Sequence, residues 1–313
     1  MLKKIAVIII NYNGWRHTLN CLDSIANSAK NKDFIKIFLV DNNSSDDSRT
    51  QIRSYLSTKN TLSVDFILSD ENRGFSAGNN LGVEKALNED FDAIMLLNND
   101  TIIERNIFAI ALQFFDEYPD CMVIAGNTKR LDGSRELTCT RAKPSFGNML
   151  FLYHTPFWNK PWFPGFKRHY MLDQDFTRPF PVYAGSGACL VFRRDFFEKA
   201  GLFDEHTFLF AEELIIGEIC ARLGFKSYSV PRVTVIHLSG QSTKTVKALS
   251  FIEFCRSEKY LVRTYYGYGL FTLAPMFLLR SAKYLYYCSS KADFRKNFRR
   301  FIKVYNCLRP SSR

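Results

Sequence analysis

Apolar runs that each end in a cluster of polar residues set the pattern of the first part of the chain. Residues 5–10 run into Asn11-Tyr12-Asn13-Gly14, residues 37–40 into Asp41-Asn42-Asn43-Ser44-Ser45-Asp46, and Leu96-Leu97 into Asn98-Asn99-Asp100-Thr101. A continuous apolar run of this kind marks a strand buried on both faces, as in a parallel sheet. Between the runs, 18–29 carries Leu19, Leu22, Ile25 and Ala26 at helical spacing, and 46–56 reads as a helix capped by Ser44 or Ser45. Strands alternating with helices predict an α/β fold, a parallel sheet with right-handed crossovers. Ligands of such sheets sit beyond the carboxyl ends of the strands, which places Asp100 where a ligand would be. One Asn or Ser after a strand is an ordinary turn former. Three strand ends of the same design make the case for a site.

Farther along, an apolar strand at 233–236 leads into His237. The stretch 143–181, rich in proline and aromatics and holding Trp158, Trp162 and Phe163, interrupts the α/β pattern. It reads equally as a wall of the acceptor site, with or without a dip toward a membrane, and as a structural insertion. A chain of 313 residues exceeds the usual single core, which predicts a main domain over 1–245 and an appendage over 246–313.

Charge sharpens that division. The net charge is +11, yet residues 1–243 hold 27 Lys and Arg against 28 Asp and Glu, while 244–313 hold 15 against 3. The tail is also dense in Tyr, Phe and Leu. Its apolar run 265–279 contains Gly267, Gly269 and Pro275 and falls short of the roughly 20 residues that span a bilayer. A helical tail lying on an anionic membrane surface fits this composition best, with helices packed on the main domain as the alternative. Nucleic acid ranks last, because the tail has no recognised nucleic-acid-binding motif. Met1-Leu2-Lys3-Lys4 leads into a short apolar run without a small-residue cleavage site, so the expected place is the cytoplasm, peripheral at the inner face of the plasma membrane. Eight scattered cysteines without a CxxC pair predict reduced thiols.

Ordered motifs carry a family resemblance over about residues 4–245. They are Ile8-Ile9-Ile10-Asn11-Tyr12-Asn13, Val40-Asp41-Asn42-Asn43-Ser44-Ser45-Asp46, Glu71-Asn72-Arg73-Gly74-Phe75-Ser76-Ala77-Gly78-Asn79-Asn80-Leu81-Gly82 and Leu97-Asn98-Asn99-Asp100. Gly185-Ser186-Gly187-Ala188-Cys189, Gly201-Leu202-Phe203-Asp204-Glu205 and Val235-Ile236-His237 follow in order. In this the chain resembles the family 2 glycosyltransferases of GT-A fold, in their rhamnosyltransferase-like branch. The resemblance implies a GT-A, Rossmann-like sheet, mixed but mainly parallel and flanked by helices. A nucleotide-sugar half over about 1–105 and an acceptor half over about 106–245 would precede the basic, aromatic helical tail.

The resemblance also implies roles. Asp41 would accept the imide N–H of uracil or thymine, and Tyr12 would stack on the base or pack at its strand end. Asn11, Asn13, Asn43, Asn72, Asn80, Asn98 and Asn99 would line the nucleotide-sugar site, and a loop over 72–82 with Gly74, Gly78 and Gly82 would let backbone approach sugar and diphosphate. Asp100, with His237 as a further ligand, would hold Mg²⁺ or Mn²⁺. Gly185, Ser186 and Gly187 would meet the acceptor. Glu213 would be the general base with Glu212 beside it, although acids at a helix start also simply complement the helix dipole. The chain departs from the family pattern at Asn98, where Asp is frequent, and at Ile215, where an acid is frequent. The implied reaction is inverting transfer from dTDP-rhamnose or a UDP-sugar to a glycan or polyprenyl-diphosphate-linked acceptor in cell-surface polysaccharide synthesis. The alternative is a catalytically idle nucleotide-binding scaffold. A nucleotidyltransferase fits less well, because Tyr12-Asn13-Gly14-Trp15-Arg16 is not a glycine-rich basic triphosphate loop.

Overall fold

In the computed structural model, which describes residues 4–29, 34–59, 61–152, 159–238 and 247–306, strands and helices alternate from the start. They are β1 (Ile5–Asn11), α1 (Trp15–Ser28), β2 (Ile35–Asp41), α2 (Ser48–Thr58), β3 (Ser63–Leu68), α3 (Gly74–Leu87), β4 (Ala93–Asn98), β5 (Thr101–Ile102), α4 (Ile107–Glu117) and β6 (Cys121–Lys129). There follow β7 (Thr140–Arg141), a π-helical turn at Asn148–Leu152, α5 (Pro164–His169), β8 (Phe180–Pro181), β9 (Ala184–Gly185), β10 (Cys189–Arg193), α6 (Arg194–Ala200), α7 (Glu212–Leu223) and β11 (Lys226–His237). The tail forms α8 (Ala248–Tyr260), a second π-helical turn at Leu261–Tyr265, α9 (Leu270–Ser290), α10 (Ala292–Lys296) and α11 (Phe298–Asn306).

A nine-stranded sheet runs β3-β2-β1-β4-β10-β6-β11-β5, with β8 beside β11. The first four of these strands are mutually parallel, while β10 lies antiparallel between β4 and β6. The expected alternation is therefore realised as a mixed, mainly parallel sheet. Each central strand feeds two apolar layers. Ile5, Val7 and Ile9 of β1 join Leu22 and Ile25 of α1, while Ala6 and Ile8 face the other way, into one cluster with Val83 and Ala86 of α3. Burial on both faces is what removes the polar alternation from these runs.

Two local expectations are corrected. The stretch 72–82 is not a loop: α3 begins at Gly74, and its glycines serve packing. A Cβ at Gly78 would stand 2.2 Å from Ile10 Cδ1 and one at Gly82 2.6 Å from Ile8 Cγ2, so α3 lies close on β1 only because those side chains are absent. Helix α2 starts at Ser48, later than expected, and neither Ser44 nor Ser45 caps it; Asp46 Oδ1 accepts the Ser48 N–H at 3.0 Å. The serines are engaged instead at the ends of β1 and β2.

The stretch 143–181 contains the first π-helical turn, α5 and β8, and its Leu152, Phe166 and Tyr170 form a small cluster of their own. Trp162 is exposed, and Trp158 lies outside the described residues, as does the expected domain boundary at 245/246. The seven described cysteines are free, and six are buried. No helix among the described residues is long and apolar enough to cross a membrane.

The tail packs on the main domain. Leu261, Val262 and Met276 share a core with Met149, Leu150, Ala184, Leu214 and Ile215, while Ala248, Phe251, Ile252, Tyr284, Phe294, Phe301 and Val304 form the tail's own core. The segment between α6 and α7 joins tail to sheet. Asp204 Oδ2 accepts the hydroxyls of Tyr260 at 2.7 Å and Tyr265 at 2.6 Å, Glu205 accepts from Arg73 at 2.9 Å and Asn80 at 2.8 Å, and Asn80 also bonds both backbone groups of Phe203.

Candidate active site

The parallel register aligns Asn11 with Asp41 and Ile10 with Asn98, so the polar ends of β1, β2 and β4 meet at one sheet edge. Two groups of side chains form there. The first surrounds Asp41, which is fully buried. Its Oδ2 accepts from Asn11 Nδ2 at 2.9 Å, and its Oδ1 accepts from the Ser44 N–H at 3.0 Å and Arg49 Nε at 2.9 Å. Burial pushes this carboxyl up, but the bonds from Ser44, Arg49 and Asn11 outweigh it and hold the group below its ordinary range.

Around Asp41 the loops are cross-tied. Asn13, with φ of 51°, accepts the Ser45 N–H at 2.8 Å, and Asn43, with φ of 61°, accepts from Arg49 at 3.0 Å. Asn99 turns back to Thr18 Oγ1 at 3.0 Å. Asn42 donates to Asn72 Oδ1 and the Gly74 carbonyl, both at 3.0 Å, and thereby fixes the start of α3. Tyr12, at the end of β1, is half exposed. Of the residues expected to touch donor, Asn80, Gly78 and Gly74 are placed elsewhere: Asn80 is committed to Phe203 and Glu205, Gly78 to β1, and a Cβ at Gly74 would stand 2.1 Å from the Phe208 carbonyl. Their work here is to hold α3 in place.

The second group lines a cavity of about 290 Å³ that gathers Asn98, Ser186, Gly187, Glu212, Glu213 and His237 with Arg141 and Glu258. Phe75, Met149, Leu209, Phe210, Leu214, Phe254 and Leu261 supply apolar lining. Gly185 lies beneath, where a Cβ would strike Ala125 at 2.4 Å. Phe210 and Ala211 both have positive φ, 75° and 71°, and this double left-handed turn delivers Glu212 and Glu213 at the start of α7. Such backbone is costly for residues with a side chain and persists where tertiary contacts impose it. Glu213 Oε1 accepts the Gly187 N–H at 3.0 Å, and its Oε2 lies 3.6 Å from Arg141. Glu212 is buried with Oε1 unpartnered. Burial first, then the charge of Glu213, pushes its carboxyl from 4.5 up to about 8. Glu212 is thus the neutral acid of the pair at neutral pH, and Glu213 is the member held as an acceptor.

That difference has a measurable sign. A carboxyl whose pKa is higher folded than unfolded binds its proton more tightly in the native state, so the stability it contributes is present below 4.5 and is lost as the pH climbs toward 8. Glu212→Gln removes this dependence. The variant is expected to melt above the wild type at pH 8, by at least about 1 kcal/mol, with the gap closing toward pH 4.5. Melting curves of both proteins across that range decide it, and a gap independent of pH would count against the assignment.

Strand pairing builds the remaining corner. The register sets His237 opposite Thr101, next to Asp100, and His237 Nε2 lies 3.3 Å from Asp100 Oδ1. On the other side Nδ1 lies 3.5 Å from Glu136 Oε2, which also accepts from Thr128 Oγ1 at 2.9 Å. Burial disfavours the His237 cation, but its bonds to Asp100 and Glu136 outweigh that and push it up to about 9. Two carboxylates thus demand positive charge here, and His237 meets the demand by holding a proton. No group of three or more His, Cys, Asp and Glu among the described residues is placed to hold a metal ion, and Asp100 with His237 offers two donors to one. Octahedral ligands at about 2.1 Å from a metal stand about 3 Å apart, as Asp100 and His237 do, and a carboxylate behind the other ring nitrogen is the usual support of a metal-bound imidazole.

Glu136, Arg141 and the tail residues Phe254, Glu258 and Leu261 escaped the sequence reading. None carries a local motif; each arrives through tertiary packing. Asn42 lay inside a quoted motif and could have been singled out as the residue between two strand-end loops.

Residues 6–201 match the family model described as Glycosyl transferase family 2. The N-acetylglucosaminyl-diphospho-decaprenol L-rhamnosyltransferase of Mycobacterium tuberculosis is 33% identical over 89 residues, 28% of this chain and 28% of that enzyme. The low-salt glycan biosynthesis hexosyltransferase Agl10 of Haloferax volcanii is 25% identical over 237 residues, 75% of this chain and 66% of its own length. The chain therefore matches under a third of the first relative and just under two thirds of the second. Among solved structures, GalNAc-T7 with UDP, GalNAc and Mn²⁺ superposes with a TM-score of 0.60 at 18% identity over 84% of this chain and 48% of that one. The mannosyltransferase PcManGT of Pyrobaculum calidifontis, with GDP-Man and Mn²⁺, gives 0.56 at 14% over 98% and 82%. These likenesses show the GT-A fold.

Proposed function

The chain belongs to glycosyl transferase family 2, and from this we propose that it moves a sugar from a nucleotide-sugar donor to an acceptor hydroxyl with inversion at the anomeric carbon. The observation that carries the reading is the acid pair at the start of α7, with neutral Glu212 beside acceptor Glu213 in a cavity shared with Asn98 and His237. Glu213 takes the proton as the acceptor oxygen forms its bond to the anomeric carbon. The bond from that carbon to the diphosphate breaks in the same displacement, and the electron pair leaves with the nucleoside diphosphate. Gly187 N–H and Arg141 keep the Glu213 carboxylate aimed, and the apolar lining excludes water that would compete with the acceptor.

On the donor side, Asp41 accepts the imide N–H of the base and exposed Tyr12 stacks on its ring. Asp100 and His237 would hold Mg²⁺ or Mn²⁺, with Glu136 supporting His237 from behind. Such an ion, when bound, supplies positive charge to the departing diphosphate. The donor is dTDP-rhamnose or a UDP-sugar, and the acceptor is a glycan or polyprenyl-diphosphate-linked hydroxyl in cell-surface polysaccharide synthesis. The name of the mycobacterial relative supports rhamnose as the sugar and a polyprenyl-diphosphate-linked acceptor. Such an acceptor places the protein at the inner face of the plasma membrane, with 246–313 against anionic lipid.

Melting of the purified protein with dTDP, UDP, GDP or CDP, each with Mn²⁺ or chelator, tests this reading. A ligand at one hundred times its dissociation constant adds about 2.7 kcal/mol to stability. Stabilisation by dTDP or UDP that chelator abolishes is expected. No response to any nucleotide would remove Asp41 and Asp100 from their roles.

A further inference from the structure

Helix α9 is built inside out for a surface helix. One face is fully used: Met276 and Arg280 face the main domain, and Tyr284 stacks on Phe301 of α11 with ring centroids 4.0 Å apart. Its opposite face, open to solvent, should then be polar. It is apolar instead. Phe271 is 95% exposed, Leu278 65%, Leu285 55% and Tyr286 72%, with exposed Ala274 and Ala282 between them. Positions 271, 274, 278, 282 and 285 are three or four residues apart, so these side chains make one unbroken row, about 21 Å long at 1.5 Å per residue.

The charge of the same tail says what covers it. Helices α10 and α11, directly after α9, expose Arg295, Lys296, Arg299, Arg300 and Lys303, while Asp293 is the one acid in 291–306. An exposed apolar row in a tail whose neighbouring helices expose cations is the composition of a helix that lies in the headgroup layer of an anionic bilayer. A second copy of this chain is a poor occupant, because it would bring two tails of the same positive charge together. No helix among the described residues is long and apolar enough to cross the bilayer, and α9 would lie along its surface.

We infer that the Phe271–Leu278–Leu285 face of α9, with the basic residues of α10 and α11, is the surface by which the protein docks on anionic lipid. This deepens the membrane reading of the tail above and specifies the face. The buried faces of α8 and α9 stay with the main domain, where Phe254, Glu258 and Leu261 reach the cavity wall, so docking holds that cavity at a fixed height over the lipid.

The test is flotation of the full chain with phosphatidylcholine vesicles, with and without phosphatidylglycerol, alongside a triple variant, Phe271→Ser, Leu278→Ser and Leu285→Ser. The wild type is expected to float with the anionic vesicles and to be released by high salt. The triple variant is expected to bind at least about tenfold more weakly, since its apolar contact is gone. Leu278→Trp is expected to be quenched by brominated lipid. Failure of the wild type to bind anionic vesicles, undiminished binding of the triple variant, or an unquenched Leu278→Trp would each overturn the proposal. So would light scattering in which the wild type is a dimer that the triple variant abolishes while neither binds vesicles. Unchanged nucleotide stabilisation of the variants shows that they are folded, and it separates failure here from failure of the transferase reading.

Discussion

Glu213→Gln is expected to lower turnover by about 10²–10⁴-fold while leaving nucleotide binding intact, the range set by removal of a positioned general base. Glutamine keeps an oxygen for the Gly187 N–H, which Glu213 now accepts at 3.0 Å, so the side chain stays in place. What it loses is the capacity to take a proton. Steady-state transfer with the donor picked out by nucleotide melting measures the effect, and the unchanged nucleotide response separates it from misfolding. Glu212→Gln gives the contrast: Glu212 already holds its proton near neutral pH, so its amide is expected to cost much less. Reversed effects would exchange the roles of the two glutamates, and wild-type transfer absent with every bound nucleotide would favour the idle scaffold.

The largest effect on stability is expected from the tail. Arg280 is fully buried, donates from Nε to Glu258 Oε2 at 2.7 Å and from a terminal nitrogen to Oε1, and also reaches the Met149 carbonyl at 3.3 Å. Arg280→Met takes the guanidinium away from the buried Glu258 carboxyl and is expected to cost about 3–5 kcal/mol. The double variant Arg280→Met, Glu258→Gln is expected to recover much of that loss, because the desolvation penalty goes with both charges. Acid should narrow the deficit of the single variant, since an unpaired buried carboxyl protonates readily. Urea unfolding of the wild type, both single variants and the double variant measures the coupling. A cost below about 1 kcal/mol for Arg280→Met would mean that Glu258 is solvated and the pair is only a surface contact.

Much of the first part of the sheet was legible because local pattern and fold agree there. The runs before Asn11, Asp41 and Asn98 are buried on both faces, and parallel pairing alone brings their ends together. The stretch around Gly74, Gly78 and Gly82 misled because glycine marks a turn and an intimate helix contact alike; only the distance to Ile8 and Ile10 tells them apart. His237 was found through the resemblance, whereas Glu136, which faces the same ring from 101 residues away, has no pattern to betray it. Arg141 belongs to a two-residue strand, too short for periodicity. In the tail, composition could weigh membrane against packing but could not divide the aromatics between faces. The structure gives Tyr284 to the interior and Tyr286 to the surface.

The five residues 201–205 carry a last consequence. Through Asn80 and Arg73 they grip α3, and through Asp204 they receive two tyrosines of the tail, so α3 and tail are keyed to each other by side chains 2.6–3.0 Å from their partners. The tail is therefore not an interchangeable cassette. In a chimera that grafts a relative's tail at residue 246, Asp204 faces foreign residues, and the cavity wall made by Phe254 and Leu261 is lost with it. Crossovers that respect this keying must carry 201–205 and the tail as one inherited block, which makes lateral exchange of tails between relatives a matter of matched lock and key.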